Sequence, residues 1–203
     1  MVEIVLLLSL TGTFANTPAF AEPTNSRTAK SADGKYKLTA SGPTAILCET
    51  ASGKELHTFK GKGEIGIQCV ALSADGKKAF IVDSDGATQE YHVIVWDAVS
   101  GKKLLTFQVL SSQLQRAKLG KRTTWVTAVA VSANGDQIIT GGEDGTTTLW
   151  DSATGKVIHN FPGPVGEGHL ITRVGLSADG RTAWSVTHDG TTREWDTKTG
   201  KRK

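Results

Sequence analysis

The chain has 203 residues, enough for one packed domain, and its 23 basic and 20 acidic side chains give a formal net charge of +3. Glycine is common, at 23 residues, while aromatic residues make up 6% of the chain, and this composition favours short strands joined by tight turns over long helices. The charges are interspersed, which excludes an arginine-rich tract for nucleic acid.

The N-terminal segment has the pattern of an export signal. Residues 4–10 are apolar, and Ala19 and Ala21 place small residues where a signal peptidase cuts. Glu3 departs from the pattern, because the leading region of a signal usually carries a Lys or Arg. We expect residues 1–21 to be a signal peptide, too short for stable membrane insertion. The protein would then be secreted or periplasmic, with a short polar segment over residues 22–30.

A Ser-Ala-Asp/Asn-Gly turn occurs four times and organises the rest of the chain. The copies begin at Ser31, Ser73, Ser132 and Ser177. A Trp-Asp pair follows three of them, at 96–97, 150–151 and 195–196, with Cys48-Glu49 in the corresponding place of the first. A Ser/Thr-Gly-Lys turn closes each copy. The runs between turns are short and rich in Val, Ile, Thr and Leu, which predicts strands.

In the third copy, strands are predicted at 126–132, 137–141, 146–151 and 157–161. Asp144-Gly145 is typical of a tight hairpin, since both residues accept positive φ at low cost. A four-stranded unit cannot bury both faces alone, so neighbouring units must stack. The predicted fold is therefore all-β, a β-propeller of about four four-stranded antiparallel blades, in units of about 31–60, 61–109, 120–161 and 168–203.

The sequence does not determine whether the blades close into a ring. The residues before Ser31 are polar and form a poor inner strand, and the chain stops at Lys203, before a last outer strand. We expect an incomplete or open propeller as the alternative to a small closed ring. Unpaired strand edges would then allow a homo-oligomer.

The repeats resemble the WD-repeat (Trp-Asp repeat) β-propeller family over about residues 30–203. That family's repeat has a Gly-His pair, a Ser or Thr on the second strand, an Asp in the hairpin and Trp-Asp ending the third strand. The fourth copy matches most fully, and the other copies match in part. The resemblance implies a hydrogen-bonded structural network inside the blades, formed by His169, Ser185, Asp189 and Trp195 in the fourth copy, Thr140, Asp144 and Trp150 in the third, and Asp85 and Trp96 in the second.

His169, Ser185 and Asp189 are also the residue types of an acyl-transfer triad. No Gly-x-Ser-x-Gly elbow and no oxyanion donor pair accompany Ser185. The structural network is therefore the favoured interpretation. We predict no catalytic residue, no cofactor and no enzymatic activity.

No metal site is predicted either. Cys48 and Cys69 lack a paired C-x-x-C spacing, and the five histidines are scattered along the chain. The acidic run from Asp83 to Glu90 lacks the spacing of a calcium loop and favours a hairpin turn. A disulfide between the two cysteines, and two free thiols, both remain open.

The longest non-repetitive segment, residues 110–124, is basic and leads to Trp125, which is expected to begin a buried strand. The segment joins two blades, so it should lie on the same face as the linker between the first and second blades. Basic loops attract acidic partners, while a merely solvated loop is the alternative. The candidate contacts are Lys60, Lys62, Arg116, Lys118, Lys121 and Arg122.

The predicted function is a non-enzymatic exported interaction scaffold that binds a protein or acidic macromolecule through propeller loops. Nucleic acid is not expected as a partner, because the basic segment lacks aromatic platforms. Two alternatives are an enzyme domain with a site in the central channel and a non-functional fragment of a larger propeller.

Overall fold

The computed structural model describes residues 27–63, 65–85, 90–109, 125–161, 163 and 169–203. Within these ranges the chain forms strands and turns only, and no helix long and apolar enough to cross a bilayer is found there. The strands are β1 (Thr28–Lys30), β2 (Tyr36–Ser41), β3 (Thr44–Glu49), β4 (Glu55–Lys60), β5 (Gly66–Leu72), β6 (Lys78–Asp85), β7 (Glu90–Asp97), β8 (Lys103–Val109), β9 (Val126–Val131), β10 (Gln137–Gly142), β11 (Thr147–Asp151), β12 (Val157–Phe161), β13 (Ile171–Leu176), β14 (Thr182–Thr187) and β15 (Thr192–Asp196).

The strands form four antiparallel sheets in chain order, which we call blades 1 to 4. Blade 1 contains β1–β4, blade 2 contains β5–β8, blade 3 contains β9–β12 and blade 4 contains β13–β15. An isolated bridge between Trp195 and Arg202 extends blade 4 at its outer edge. The predicted all-β propeller architecture is confirmed, with three four-stranded blades and one three-stranded blade.

Strand β1 lies in the polar segment that is a poor strand by sequence. It pairs with residues 37–39 of β2 in antiparallel register. Its polar side chains do not prevent pairing, because ladder hydrogen bonds join backbone groups. Ala29, at 8% exposure, adds the one apolar contact that β1 makes with the core.

Apolar side chains fill the three interfaces between consecutive blades. One buried cluster contains Phe59 and Ile94 between blades 1 and 2, and a second contains Phe80 between blades 2 and 3. The third contains Phe161 and Trp195, between blades 3 and 4. Among the described residues, blades 4 and 1 share no such cluster, an arrangement consistent with an open or incomplete propeller.

The four blades have two rims with different sequences. Because strands alternate in direction, the start of each first strand, the second hairpin and the end of each fourth strand lie at one rim, the loop rim. The repeated Ser-Ala-Asp/Asn-Gly and Ser/Thr-Gly-Lys turns lie at the other, the turn rim. Backbone hydrogen bonds join consecutive blades there, from Ala32 N to Ala74 O at 2.9 Å and from Ala74 N to Ala133 O at 3.0 Å. The loop rim has such a bond too, from Ile67 N of blade 2 to Gly42 O of blade 1 at 3.0 Å.

Candidate protein-interaction rim

The predicted polar contacts are formed in part in blade 3. Trp150 Nε1 donates a 2.9 Å hydrogen bond to Thr140 Oγ1, and both side chains are buried. The indole also packs on Phe107 of blade 2, with ring centroids 5.2 Å apart. Asp144 orders the hairpin by accepting a 3.0 Å hydrogen bond from Thr146 N. These contacts fix blade 3 internally and hold it against blade 2.

Blade 4 matches the family motif best in sequence, yet it does not form the same contacts. Ser185 Oγ is buried and has no hydrogen-bond partner among the described residues. Asp189 accepts hydrogen bonds from Thr187 Oγ1 and from Thr191 N, the latter at 2.9 Å. These bonds, with a smaller contribution from His169, lower the pKa of Asp189 to about 2. Asp189 therefore holds its own hairpin, and the expected link to Ser185 is not made.

Blades 3 and 4 also differ at the position beside this hydroxyl, which Arg193 occupies in blade 4. It is the cross-strand partner of Ser185, where blade 3 pairs Thr148 with Thr140. Its Nη1 atom is buried and has no hydrogen-bond partner in the part of the chain that the structure describes. A long cationic side chain thus stands beside Ser185 where blade 3 has a short hydroxyl. The motif does not include this position, so the motif alone could not reveal it.

Trp96 of blade 2 and Trp195 of blade 4 pack on the preceding blade as Trp150 does. In blade 2 the indole makes no hydrogen bond like that of Trp150. Trp96 packs on Phe59 at 5.1 Å, and Trp195 stacks on Phe161 at 4.7 Å. Trp96 Nε1 is buried without a partner among the described residues, because Ile81 stands where Thr140 stands in blade 3. Asp85, the motif acid of blade 2, ends β6 and is half-buried.

The triad-like set in blade 4 is not arranged for acyl transfer. A nucleophile needs a base within hydrogen-bond reach and access to its substrate. Ser185 is 1% exposed, and its hydroxyl contacts no acceptor among the described residues. Asp189 orients the backbone of its hairpin rather than an imidazole. In the described residues, Ser185 therefore has no base within hydrogen-bond reach and almost no access to solvent.

A buried polar cluster that the motif does not contain lies at the loop rim of blade 2. Asp83 and His92 are cross-strand partners that are 0% and 4% exposed. Asp83 Oδ2 accepts hydrogen bonds from Lys62 N and from Gly63 N, the latter at 2.8 Å. Lys62 Nζ lies 3.1 Å from His92 Nε2. The cluster anchors the linker between blades 1 and 2. Asp83 and His92 each interrupt an otherwise apolar strand, and this was the feature of the sequence that could have indicated the cluster.

The basic candidates are divided between described and undescribed parts of the chain. Lys60 and Lys62 are exposed at the loop rim, although Lys62 is also engaged with His92. The remaining candidates, Arg116, Lys118, Lys121 and Arg122, lie outside the described residues.

Two large apolar side chains are exposed at the loop rim. Trp125 is 56% exposed just before β9, and Ile65 is 63% exposed just before β5. The expectation that Trp125 begins the buried strand is wrong, because the first buried residue of that strand is Val126. Glu143 N donates a 3.0 Å hydrogen bond to Trp125 O, which holds the backbone under the exposed indole. Exposed aromatic side chains are enriched in protein contacts.

The two cysteines do not pair. Both thiols are free. Cys69 is buried in the cluster between blades 2 and 3. Cys48 lies in blade 1, on the side of the sheet that faces away from blade 2. Burial raises the pKa of the Cys69 thiol to about 12, so it remains protonated and unreactive at neutral pH. No cluster of three metal-ligating side chains is found in the described ranges.

Comparison with known proteins identifies the same repeat. The WD domain, G-beta repeat family matches residues 113–151. The small ribosomal subunit protein RACK1y of Oryza sativa subsp. japonica is 33% identical over 49% of this chain and 25% of its own length. The U3 snoRNP-associated protein-like EMB2271 of Arabidopsis thaliana is 32% identical over 52% of this chain and 22% of its own length. The guanine nucleotide-binding protein subunit beta of Nicotiana tabacum is 27% identical over 66% of this chain and 33% of its own length.

These relatives correct one expectation from the N-terminus. Their names place them in intracellular assemblies, the small ribosomal subunit and the U3 snoRNP among them. The secreted or periplasmic localisation expected from residues 1–21 is therefore wrong. The chain spans only about a quarter of the length of the first two of these relatives. The repeated antiparallel blades, their Trp-Asp strand ends and these matches together support the similarity of the chain to the WD-repeat β-propeller family.

Proposed function

We propose that the protein is a non-enzymatic scaffold that binds a protein partner through its loop rim. The observation that carries the proposal is the exposure of Trp125 and Ile65 at that rim. Relatives in the same repeat family are named as parts of larger assemblies, which supports an interaction role. Fold alone would not establish such a role, so the argument rests on these side chains.

Trp125 has the properties of an interface anchor. Aromatic side chains bury about 150–250 Å² each, and tryptophan is enriched among the few residues that dominate binding energies. The residue is 56% exposed, while its backbone is held by the bond from Glu143 N. The backbone at Trp125 therefore loses little conformational entropy when a partner covers the side chain.

The charges of the rim favour a protein partner over a polyanion. Lys60 is exposed at the end of β4, and Glu143 is exposed beside Trp125. A surface that carries both signs around apolar anchors suits a protein with matching polar groups. A phosphate-rich partner would be repelled by Glu143. Acidic macromolecules other than proteins are therefore the second candidate, supported by Lys60 and the basic sequence of residues 110–124.

The test compares alanine substitutions on the two sides of the molecule. Trp125→Ala and Ile65→Ala remove the exposed anchors, whereas Leu104→Ala removes a side chain of 54% exposure on the outer strand β8. Immobilised wild-type protein and each variant would be used to capture partners from a host-cell lysate, with quantitative mass spectrometry as the readout. Proteins retained by the wild type and by Leu104→Ala should be lost with Trp125→Ala and reduced with Ile65→Ala.

Circular dichroism and thermal melting of each variant establish that the fold is retained. If the captured set is the same for all four proteins, the loop rim is not the binding surface and the proposal fails. Loss with Leu104→Ala instead would move the binding surface to the outer strands.

A further inference from the structure

The interface between blades 3 and 4 contains three buried polar atoms that have no hydrogen-bond partner among the described residues. They are Thr147 Oγ1 of blade 3 and, in blade 4, Ser185 Oγ and Arg193 Nη1. Thr147 and Ser185 are each 1% exposed, and Arg193 is half-buried. Each of these atoms loses its hydrogen bonds to water on folding, which costs free energy unless a new partner replaces the water.

Two of the three atoms lie side by side on the face of blade 4 that packs on blade 3. Ser185 and Arg193 are cross-strand partners, so their side chains leave the same face of the sheet. Trp195 lies two residues after Arg193 on that face and stacks on Phe161 of blade 3. The hydroxyl of Ser185 and the guanidinium of Arg193 therefore both face blade 3.

Thr147 lies on the facing side of blade 3. Its cross-strand partners are Gly141 in β10 and Phe161 in β12. A Cβ atom added at Gly141 would lie 2.9 Å from Val174 of blade 4, and Val174 is the cross-strand partner of Ser185. Phe161 packs on β15 through its ring contact with blade 4. Both neighbours of Thr147 thus contact blade 4, which places its hydroxyl opposite β14 and β15.

The equivalent positions of blade 3 are satisfied within the blade. Thr140 and Thr148 occupy there the positions that Ser185 and Arg193 occupy in blade 4. Thr140 Oγ1 accepts the indole hydrogen bond of that blade, and Thr148 Oγ1 donates a 3.1 Å hydrogen bond to Asn160 Oδ1. Blade 4 instead carries a hydroxyl and a cation that both require a further partner.

The carboxylates closest to Arg193 in sequence are used elsewhere. Asp189, in the hairpin between β14 and β15, accepts hydrogen bonds from Thr187 Oγ1 and Thr191 N. Glu194 is the cross-strand partner of Trp184, so its side chain leaves the opposite face of the sheet. Neither carboxylate balances the charge of Arg193 inside the interface.

The three groups call for an acceptor that carries negative charge. A guanidinium can only donate hydrogen bonds and keeps its charge, while hydroxyl groups can donate as well as accept. A buried cation is costly unless an anion pairs with it. A water molecule could accept hydrogen bonds from these groups but would leave the cation unpaired. A small anion satisfies the donors and balances the charge together.

We propose that Thr147, Ser185 and Arg193 bind one small monovalent anion, such as chloride, between blades 3 and 4. The anion accepts a charge-assisted hydrogen bond from the guanidinium and hydrogen bonds from the two hydroxyls. The exposed part of Arg193 gives it a route from solvent. Because the anion contacts both blades, its binding stabilises their packing and makes the stability of the fold depend on anion concentration.

Thermal melting of the full chain tests the proposal, with sodium chloride replacing sodium gluconate at constant ionic strength. Gluconate has the same charge as chloride but is far larger. The melting temperature of the wild type should rise and saturate, by roughly 3–6 °C when chloride is at about ten times its dissociation constant. Arg193→Thr, which introduces the residue type of blade 3, should abolish the rise. Ser185→Ala should move the midpoint to chloride concentrations roughly tenfold higher.

The gluconate buffer separates a counter-ion site from a merely structural arginine. Without chloride, Arg193→Thr removes an unpaired buried charge, so the variant should melt at the wild-type temperature or above it. Thr147→Val should likewise be neutral or stabilising without chloride, and it should lose part of the rise when chloride is added. An arginine that only fills space would give the same loss of stability in both salts.

Two control variants test net charge and a carboxylate from the chain itself. Arg173→Gln removes an exposed guanidinium from β13 of the same blade and should keep the full chloride response. Glu167, in the linker between blades 3 and 4, lies outside the described residues. Glu167→Gln should also keep the response. Crystals soaked in sodium bromide should show an anomalous peak beside Arg193.

Three outcomes would each overturn the anion site. One is a wild-type melting temperature that is the same in both salts. Another is a chloride response that Arg193→Thr retains. The third is a response that appears only with Glu167→Gln, since that carboxylate would then be the partner of Arg193. None of these outcomes bears on the binding role proposed for Trp125.

Discussion

At the scale of single residues, a buried hydroxyl stabilises this fold only when it makes a hydrogen bond. Thr140 Oγ1 accepts the hydrogen bond of Trp150 Nε1, whereas Thr147 Oγ1, one strand away, is buried without a partner among the described residues. Thr140→Val leaves the indole N–H unpaired and should lower the free energy of unfolding by about 1–3 kcal/mol. Thr147→Val relieves a desolvated hydroxyl, so its effect should be neutral or stabilising.

Urea denaturation of the two variants, which make the same chemical change in one strand pair, measures the difference. Equal losses of stability would show that the hydrogen bond of Trp150 contributes nothing beyond packing.

At the scale of elements, the Asp of each Trp-Asp pair acts as a cap for the turn that follows it. Asp151 accepts hydrogen bonds from Thr154 Oγ1 at 2.7 Å and from Thr154 N at 2.8 Å. These bonds hold the pKa of Asp151 below its ordinary value, and equivalent bonds lower the pKa values of Asp97 and Asp196. A group whose pKa is lower in the folded state stabilises that state above its unfolded pKa, and the stabilisation is lost as pH falls through the folded pKa.

We therefore expect the free energy of unfolding to fall at acid pH, when the turn carboxylates become protonated. Their contribution should be constant from neutral pH down to about pH 5 and should disappear as pH falls below about 4, the unfolded value for Asp. For Asp189 the loss should be complete only below its pKa of about 2. Thermal melting across this pH range is the measurement. Asp151→Asn, which cannot ionise, should show a shallower fall in melting temperature, and an unchanged slope would contradict the capping role.

At the scale of the whole molecule, stability comes from the packing of one blade on the next. Substitutions of the turn glycines test how much this packing contributes. Gly53 and Gly101 have nearly the same backbone, with φ of 68° and 71°, so alanine strains both turns by about 1–2 kcal/mol. Only Gly101 also meets a neighbouring blade, through the ring of His57. Gly101→Ala should therefore destabilise the protein more than Gly53→Ala in chemical denaturation. Equal effects would mean that His57 moves away without cost.

Much of the fold follows from local sequence. The repeated turns and the short β-branched runs were sufficient to predict antiparallel blades, because turn geometry depends on residues a few positions apart, such as Ser73 and Asp75. Strand β1 was not predicted, because its Thr and Lys side chains lack the apolar pattern of a strand. Its backbone nevertheless pairs with β2.

The candidate site depended far more on contacts between distant residues. The motif indicated that blade 4 would hold the most complete network, yet Arg193 stands beside Ser185 and blade 3 forms the Trp150–Thr140 bond instead. The exposure of Trp125 likewise depends on where the first buried residue of β9 falls.

The Trp-Asp repeats and their capped turns can be recognised in the sequence alone, because each of those features is encoded within one short segment and its hydrogen bonds. Which side chains share a face of a blade follows only from the pairing and packing of the strands. Lys37 and Glu194 look like ordinary strand residues in sequence, and only strand pairing shows that Lys37 lies beside Lys30 and Glu194 beside Trp184. Register is a property of paired strands, so a single segment does not contain it.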